Sequence, residues 1–119
     1  MVEIKIPFSK EMAKASFYGN KHCTSRNKKY GESGDCFKII LDGITEEFEL
    51  ISVLKYPLWA VKECLYLDEG FESPEDFERL WNKLHPRKGF EGRHKVWVHW
   101  YKFLESSQNE QKGDKNDNR

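Results

Sequence analysis

Ten consecutive residues near the end of the chain, His94–Phe103 (HKVWVHWYKF), restrict its folding more than any other stretch. They read as a strand, and side chains on a strand alternate between its two faces. The even positions Val96, Val98 and Trp100 are apolar, and so, largely, are the odd positions Trp97, His99, Tyr101 and Phe103. A strand apolar on both faces must be covered on both, as in a small closed sheet. A chain of 119 residues supplies one domain and no second. Mean hydropathy is low, at −0.82, yet eight Phe, four Trp and five Tyr provide bulky core material. A domain of this size buries enough surface to need no metal or disulfide staple.

The remaining elements follow from local signals. Val2–Ile6 alternates apolar and charged residues, which predicts a short strand ended by Pro7. Ser9 caps a helix to about Phe17, with Phe8, Met12 and Ser16 on one side, and Gly19-Asn20 stops it. Lys21–Arg26 reads as extended, Asn27–Ser33 as a basic loop, and Gly34-Asp35 as a turn. Cys36–Leu41 and Glu47–Lys55 are strands joined through the tight turn Asp42-Gly43, a strong hairpin signal. Pro57 opens a helix to about Leu67 with Leu58, Val61 and Leu65 inward. Ser73-Pro74-Glu75-Asp76 starts another, whose stripe is Phe77, Leu80, Trp81 and Leu84 and which Pro86 ends. Trp59 and Trp81 are expected in the core on these helix faces, and His99 packed among aromatic rings. The predicted order is β-α-β-β-β-α-α-β, an α+β domain over residues 1–104. Residues 105–119 hold no apolar side chain and are expected to form a disordered polar tail.

Several classes drop out. No run approaches the ~20 apolar residues needed to cross a bilayer. Met1–Pro7 is too short and too charged for a secretory signal. Cys23, Cys36 and Cys64 are odd in number and show no paired spacing, which points to reduced thiols in the cytoplasm. Neither Cys-x-x-Cys nor His-x-x-x-His supports a metal site built from Cys23, Cys36 and the histidines, and no cofactor loop is present.

A formal charge of zero conceals an asymmetry. Residues 1–38 carry 8 basic and 4 acidic side chains, residues 39–78 carry 2 and 11, and residues 79–104 carry 7 and 1. If the two basic segments meet in space, they offer a surface for phosphate. Within the first, Lys21-His22-Cys23-Thr24-Ser25-Arg26 places an ammonium, hydroxyls and a planar guanidinium on one extended segment. Alternation sends Lys21, Cys23 and Ser25 one way and His22, Thr24 and Arg26 the other. The adjoining Lys28-Lys29-Tyr30 sets two cations beside a ring, an arrangement that grips single-stranded nucleic acid by stacking and phosphate contact. Arg87-Lys88-Gly89 and Arg93-His94-Lys95 offer a second rim, or simply solvated loops.

The helix ending in Gly19-x-Lys21, followed by a strand with Thr24 and Arg26, resembles the signature of the ASCH domain. The similarity continues in order through Gly34-Asp35, the hairpin, Glu69-Gly70-Phe71-x-Ser73 with Phe77, and the closing aromatic strand, covering about residues 8–104. It implies a PUA-like small β-barrel with a mixed sheet and flanking helices, whose cleft binds RNA or a nucleobase or nucleoside. Lys21, Thr24, Arg26 and Glu69 would line that cleft, with Lys28, Lys29 and Tyr30 beside it. Some ASCH proteins resemble amidohydrolases acting on N4-acetylcytidine. Carried over by position, Thr24 would be the nucleophile, Lys21 its base and Glu69 the acid. Such chemistry requires a Lys whose pKa is lowered by burial or by a neighbouring cation such as Arg26. Three readings stay open: a binding module for RNA or a nucleoside, an amidohydrolase, and an adaptor using the acidic 39–78 segment. In each the chain is expected to be a monomer.

Overall fold

A computed structural model describes residues 2–108. Its elements are α1 (Lys10–Phe17), β1 (Cys23–Arg26), β2 (Cys36–Leu41), β3 (Ile44–Pro57), α2 (Leu58–Leu65), α3 (Pro74–Leu84) and β4 (Lys95–Gln108). The four strands form one antiparallel sheet in the order β1-β4-β3-β2, which curls into a half-barrel. Register shifts at Glu47/Phe48 and Leu50/Ser52 of β3 add the local twist that bends it.

The two-sided strand is covered as its composition requires. Val96 and Val98 of β4 are fully buried with Cys23, Leu58, Val61, Phe77 and Trp81, under α2 and α3. On the opposite face Tyr101 packs with Phe37, Phe48 and Leu50, and α1 adds Ala13. The Tyr101 ring meets Phe37 and Phe48 edge-on at 5.2 and 5.3 Å, a preferred aromatic geometry. The cover comes from helices and from the sheet's own curl. Among the described residues β1 and β2 are the outer strands and do not pair with each other, so the sheet does not close.

Four expectations need correction. Val2–Ile6 forms no strand: Glu3 makes one parallel bridge to Cys36, and two backbone bonds, Ile4 N–H to Cys36 O and Cys36 N–H to Val2 O, hold the segment. The order is therefore α-β-β-β-α-α-β, and this bridge is the only parallel feature among the described residues. Trp59 is 52% exposed, because the inward face of α2 is taken by Leu58 and Val61. Pro57 ends β3 and caps α2 from outside, while the Leu58 and Trp59 N–H groups donate to His94 O and Gly92 O. Finally, β4 continues through Glu105–Gln108, four residues into the expected polar tail, paired with Ile44–Glu47 of β3. Residues 109–119 of that tail lie outside the described residues.

Candidate functional site

The site begins where α1 stops. Ser9 caps the helix by accepting from Met12 N–H, and Gly19 turns the chain out at φ +78°. Asn20 and Lys21 N–H both donate back to Ala15 O, so the chain passes directly from α1 into β1 with Lys21 turned inward. His22 and Cys23 N–H donate to Asp68 O, docking the loop after α2 against the start of β1. Gly70 sits there at φ +98°, and a Cβ on it would lie 3.2 Å from Lys21 Cβ and 3.3 Å from Ala15 Cβ. A side chain at position 70 would be strained at that φ and would crowd Lys21 and Ala15, so this glycine eases the close approach of the Glu69 loop to β1.

Alternation along β1 then sorts the side chains. Lys21, Cys23 and Ser25 all reach Glu69. Lys21 Nζ donates to the Glu69 carbonyl at 2.9 Å and to Oε1 at 3.2 Å. Ser25 Oγ donates to Oε2 at 2.5 Å, and the Cys23 thiol lies 3.9 Å from the same oxygen. Lys21 and Glu69 form an ion pair with side chains only 2% and 4% exposed. Burial lowers the Lys21 pKa from its ordinary value, and the Arg26 charge adds to this while Glu69 opposes it. Burial pushes the Cys23 thiol well up, so it is a poor nucleophile at neutral pH.

Thr24 and Arg26 form a separate pair. The Arg26 guanidinium donates to Thr24 Oγ1 and to the carbonyls of Ser25 and Pro7, with its Cζ 5.3 Å from the Phe8 ring centroid. Among the described residues, three of its five N–H donors are thus engaged and two are left over. Across the sheet from Thr24 stands His99, which is fully buried. Its Nε2 lies 3.0 Å from the Tyr30 N–H and so accepts, which leaves Nδ1 to donate to Thr24 O at 3.2 Å. This pattern specifies the neutral imidazole, and burial lowers the His99 pKa to match.

Lys21, Thr24, Arg26, Glu69 and Tyr30 all line one cavity of about 460 Å³, together with Ser25. Its polar lining comes from Lys21, from β1, from Glu69, and from Ser9 and Tyr30. The apolar lining is supplied by Phe8 and Met12 on the α1 side, Phe71 after the loop, and Leu80, Trp81 and Leu84 of α3. A second groove, of about 480 Å³, lies beyond the shared wall of Met12, Phe71 and Leu80. Lys28 and Lys29 are not in the cavity lining. Lys28 Nζ sits 4.9 Å over the Tyr30 ring, and Lys29 pairs with Glu32 at 2.8 Å while covering Trp97. Both cations already occupy aromatic faces of this chain. The two basic segments do meet, through His94 Nε2 and Asn27 Oδ1 at 2.6 Å. Among the described residues, Lys21 Nζ and Thr24 Oγ1 share no hydrogen bond: the Lys bonds to Glu69, and the Thr to Arg26.

Sequence reasoning did not single out Ser25 or the apolar wall. Alternation already placed Ser25 with Lys21, which was the usable signal. The α3 stripe read as core, and Leu80 and Leu84 instead face the cavity. Among the described residues no group of three His, Cys, Asp or Glu side chains could hold a metal ion, and no helix is long and apolar enough to cross a membrane.

Solved structures share this architecture. The ASCH domain from Lactobacillus crispatus superposes with a TM-score of 0.60 at 14% identity, over 86% of this chain and 79% of that one. An Enterococcus faecalis protein of the DUF984 family gives 0.64 at 14% identity, over 87% and 81%. A point mutant of the Zymomonas mobilis ASCH protein gives 0.61 at 18% identity, over 93% and 78%. No family model and no curated protein sequence matches the chain. The chain therefore shares the fold of these ASCH-domain structures, an α+β half-barrel.

Proposed function

We propose that the chain is an ASCH-type binding module that seats a nucleobase or nucleoside, free or within RNA, in the cavity between α1, α3 and β1. The observation that carries this reading is the convergence of Lys21, Thr24, Arg26 and Glu69, drawn from two distant parts of the sequence, on one hollow walled by aromatic rings. A planar base has an apolar face and a polar edge. Here Phe71, Trp81 and Phe8 supply apolar and aromatic surface. Base–aromatic stacking contributes about 1–3 kcal/mol per base. Arg26 retains two donors for a carbonyl or ring nitrogen, and Thr24 retains its hydroxyl proton. Lys21, held by Glu69, is not a free phosphate clamp, so the cavity suits the uncharged part of the ligand. Lys28, Lys29 and the His94 loop lie outside it and would meet phosphates of a longer strand. The three free cysteines fit a reducing, cytoplasmic setting, and the module is proposed to work there as a monomer.

Amide-resonance shifts followed during titration with cytidine, N4-acetylcytidine and a short single-stranded RNA test the reading. Shifts are expected at Thr24, Phe71 and Trp81 with all three. Nucleoside affinity should hardly change with salt, whereas RNA affinity should fall as counterion release is suppressed. Shifts confined to other surfaces, or none at low salt, overturn the reading and favour an adaptor using the acidic segment.

One observation favours a second reading, the amidohydrolase. The buried Lys21–Glu69 pair beside hydroxyls of β1 is an uncommon arrangement in a small domain, and strongly perturbed groups cluster at reactive sites. In this reading N4-acylated cytidine is cleaved with Thr24 as nucleophile, Lys21 as base and Glu69 as acid. Release of cytidine from N4-acetylcytidine supports it, and absence of turnover with several acylated nucleosides removes it.

A further inference from the structure

We infer that Ser25, rather than Thr24, is the hydroxyl this cavity can activate, with Glu69 as the base that takes its proton during cleavage of an N-acyl amide. The inference rests on the hydrolytic reading above. A hydroxyl becomes a nucleophile when a neighbouring base accepts its hydrogen. Ser25 Oγ already donates to Glu69 Oε2 at 2.5 Å, whereas Thr24 Oγ1 faces only a donor, the Arg26 guanidinium. Ser25 is also the more open of the two, 6% exposed against 1%, and lines the cavity. Lys21 holds the other carboxylate oxygen and the Glu69 backbone carbonyl, which fixes Oε2 toward Ser25. The remaining Lys21 N–H and the two spare Arg26 donors are cationic hydrogen-bond donors for a developing oxyanion.

The step balances without any further reactant but water. Ser25 Oγ forms a bond to the acyl carbon as its proton passes to Glu69 Oε2. The acyl C–N bond then breaks, and Glu69 returns that proton to the departing amine. In the second half, water attacks the Ser25 ester and gives a proton to Glu69. The C–Oγ bond breaks, Ser25 Oγ recovers the proton, and a carboxylic acid leaves.

The test compares wild type, Ser25→Ala and Thr24→Val for cytidine release from N4-acetylcytidine. In parallel, wild-type protein is quenched in acid during reaction with p-nitrophenyl acetate and the acetylated residue is mapped by mass spectrometry. The expected result is an acetyl group on Ser25, a fall in kcat/KM of at least about a hundredfold in Ser25→Ala, and a fall below about tenfold in Thr24→Val. An acetyl group on Thr24, or Ser25→Ala retaining near wild-type turnover, overturns the assignment while leaving hydrolysis intact. No turnover and no adduct removes both. Because the adduct is mapped on wild-type protein, a folding defect in either variant does not blunt the test.

Discussion

The buried Lys21–Glu69 pair can be interrogated by replacing each partner with an uncharged residue of similar shape, Lys21→Met and Glu69→Gln, singly and together. At the 3.2 Å separation, an effective dielectric of about 20 gives an attraction of about 5 kcal/mol. Withdrawing two charges from water costs several kcal/mol per ion, so the intact pair is close to neutral in net stability. Removing one partner leaves the other buried without its counter-charge, which costs about 3–5 kcal/mol. Lys21→Met should fall at the lower end, because Ser25 and Cys23 still face the carboxylate. Because the intact pair is close to neutral, the double variant should cost less than either single variant, a coupling of at least about 3 kcal/mol. Urea unfolding at constant m-value measures all four corners of the cycle. The pH dependence supplies a second readout. Glu69 is the main influence raising the Lys21 pKa, so Glu69→Gln drives that already lowered value further down. The unfolded chain then binds more protons than the folded one below the ordinary value of 10.5, and stability must rise with pH in that window. The Glu69→Gln deficit should accordingly shrink as pH is raised above neutrality, and the Lys21→Met deficit should not. Single substitutions that are additive within about 0.5 kcal/mol would refute the claim that the two groups form a desolvated pair.

Much of the fold was legible because its signals are local. Ser9 and Ser73 accept from Met12 and Asp76 N–H as capping chemistry requires. Asp42 and Gly43 both take positive φ, +51° and +80°, and close the β2–β3 hairpin at the expected residues. The misreadings arose where a neighbour, not the side chains, decides. Glu105 and Ser106 look like tail, yet Glu47 and Glu46 of β3 present a free backbone edge to them, and ladder hydrogen bonding ignores side-chain polarity. Val2–Ile6 alternates like a strand, but Pro7 cuts it short and only one residue bridges to β2. The β1 side of the site was readable from alternation, which correctly separated Lys21 and Ser25 from Thr24 and Arg26. The contact with Glu69 came only from the family resemblance, since Glu69 lies 48 positions along the chain from Lys21 and it is the docking of Asp68 O on β1 that brings it there. The apolar wall was hidden for another reason: a helix stripe that lines a cavity has the same periodicity as one that fills a core.

Two further substitutions probe how the cavity is held. Gly70→Ala forces a side chain into the left-handed region and against Lys21 Cβ, so a loss of about 1–3 kcal/mol in urea unfolding is expected, with weaker nucleoside binding. A variant of unchanged stability and affinity would show that close approach at Gly70 does not seat Glu69. His99 ties Thr24 O to the Tyr30 N–H only as the neutral ring, because a proton on Nε2 would turn that acceptor into a donor facing a donor. Burial, aided by Arg26 and opposed by the bonds to backbone and by Glu69, sets its folded pKa below the ordinary 6.5. The stability it contributes is therefore complete above about pH 6.5 and is lost as pH falls through the lower folded value. His99→Gln presents a neutral amide and has no proton to gain. Between about pH 6.5 and 5, before most carboxylates titrate, the melting temperature of wild type should drop more steeply than that of His99→Gln. Parallel profiles would mean that the ring accepts a proton without cost, and that Tyr30 and Thr24 are held in place by something other than this histidine.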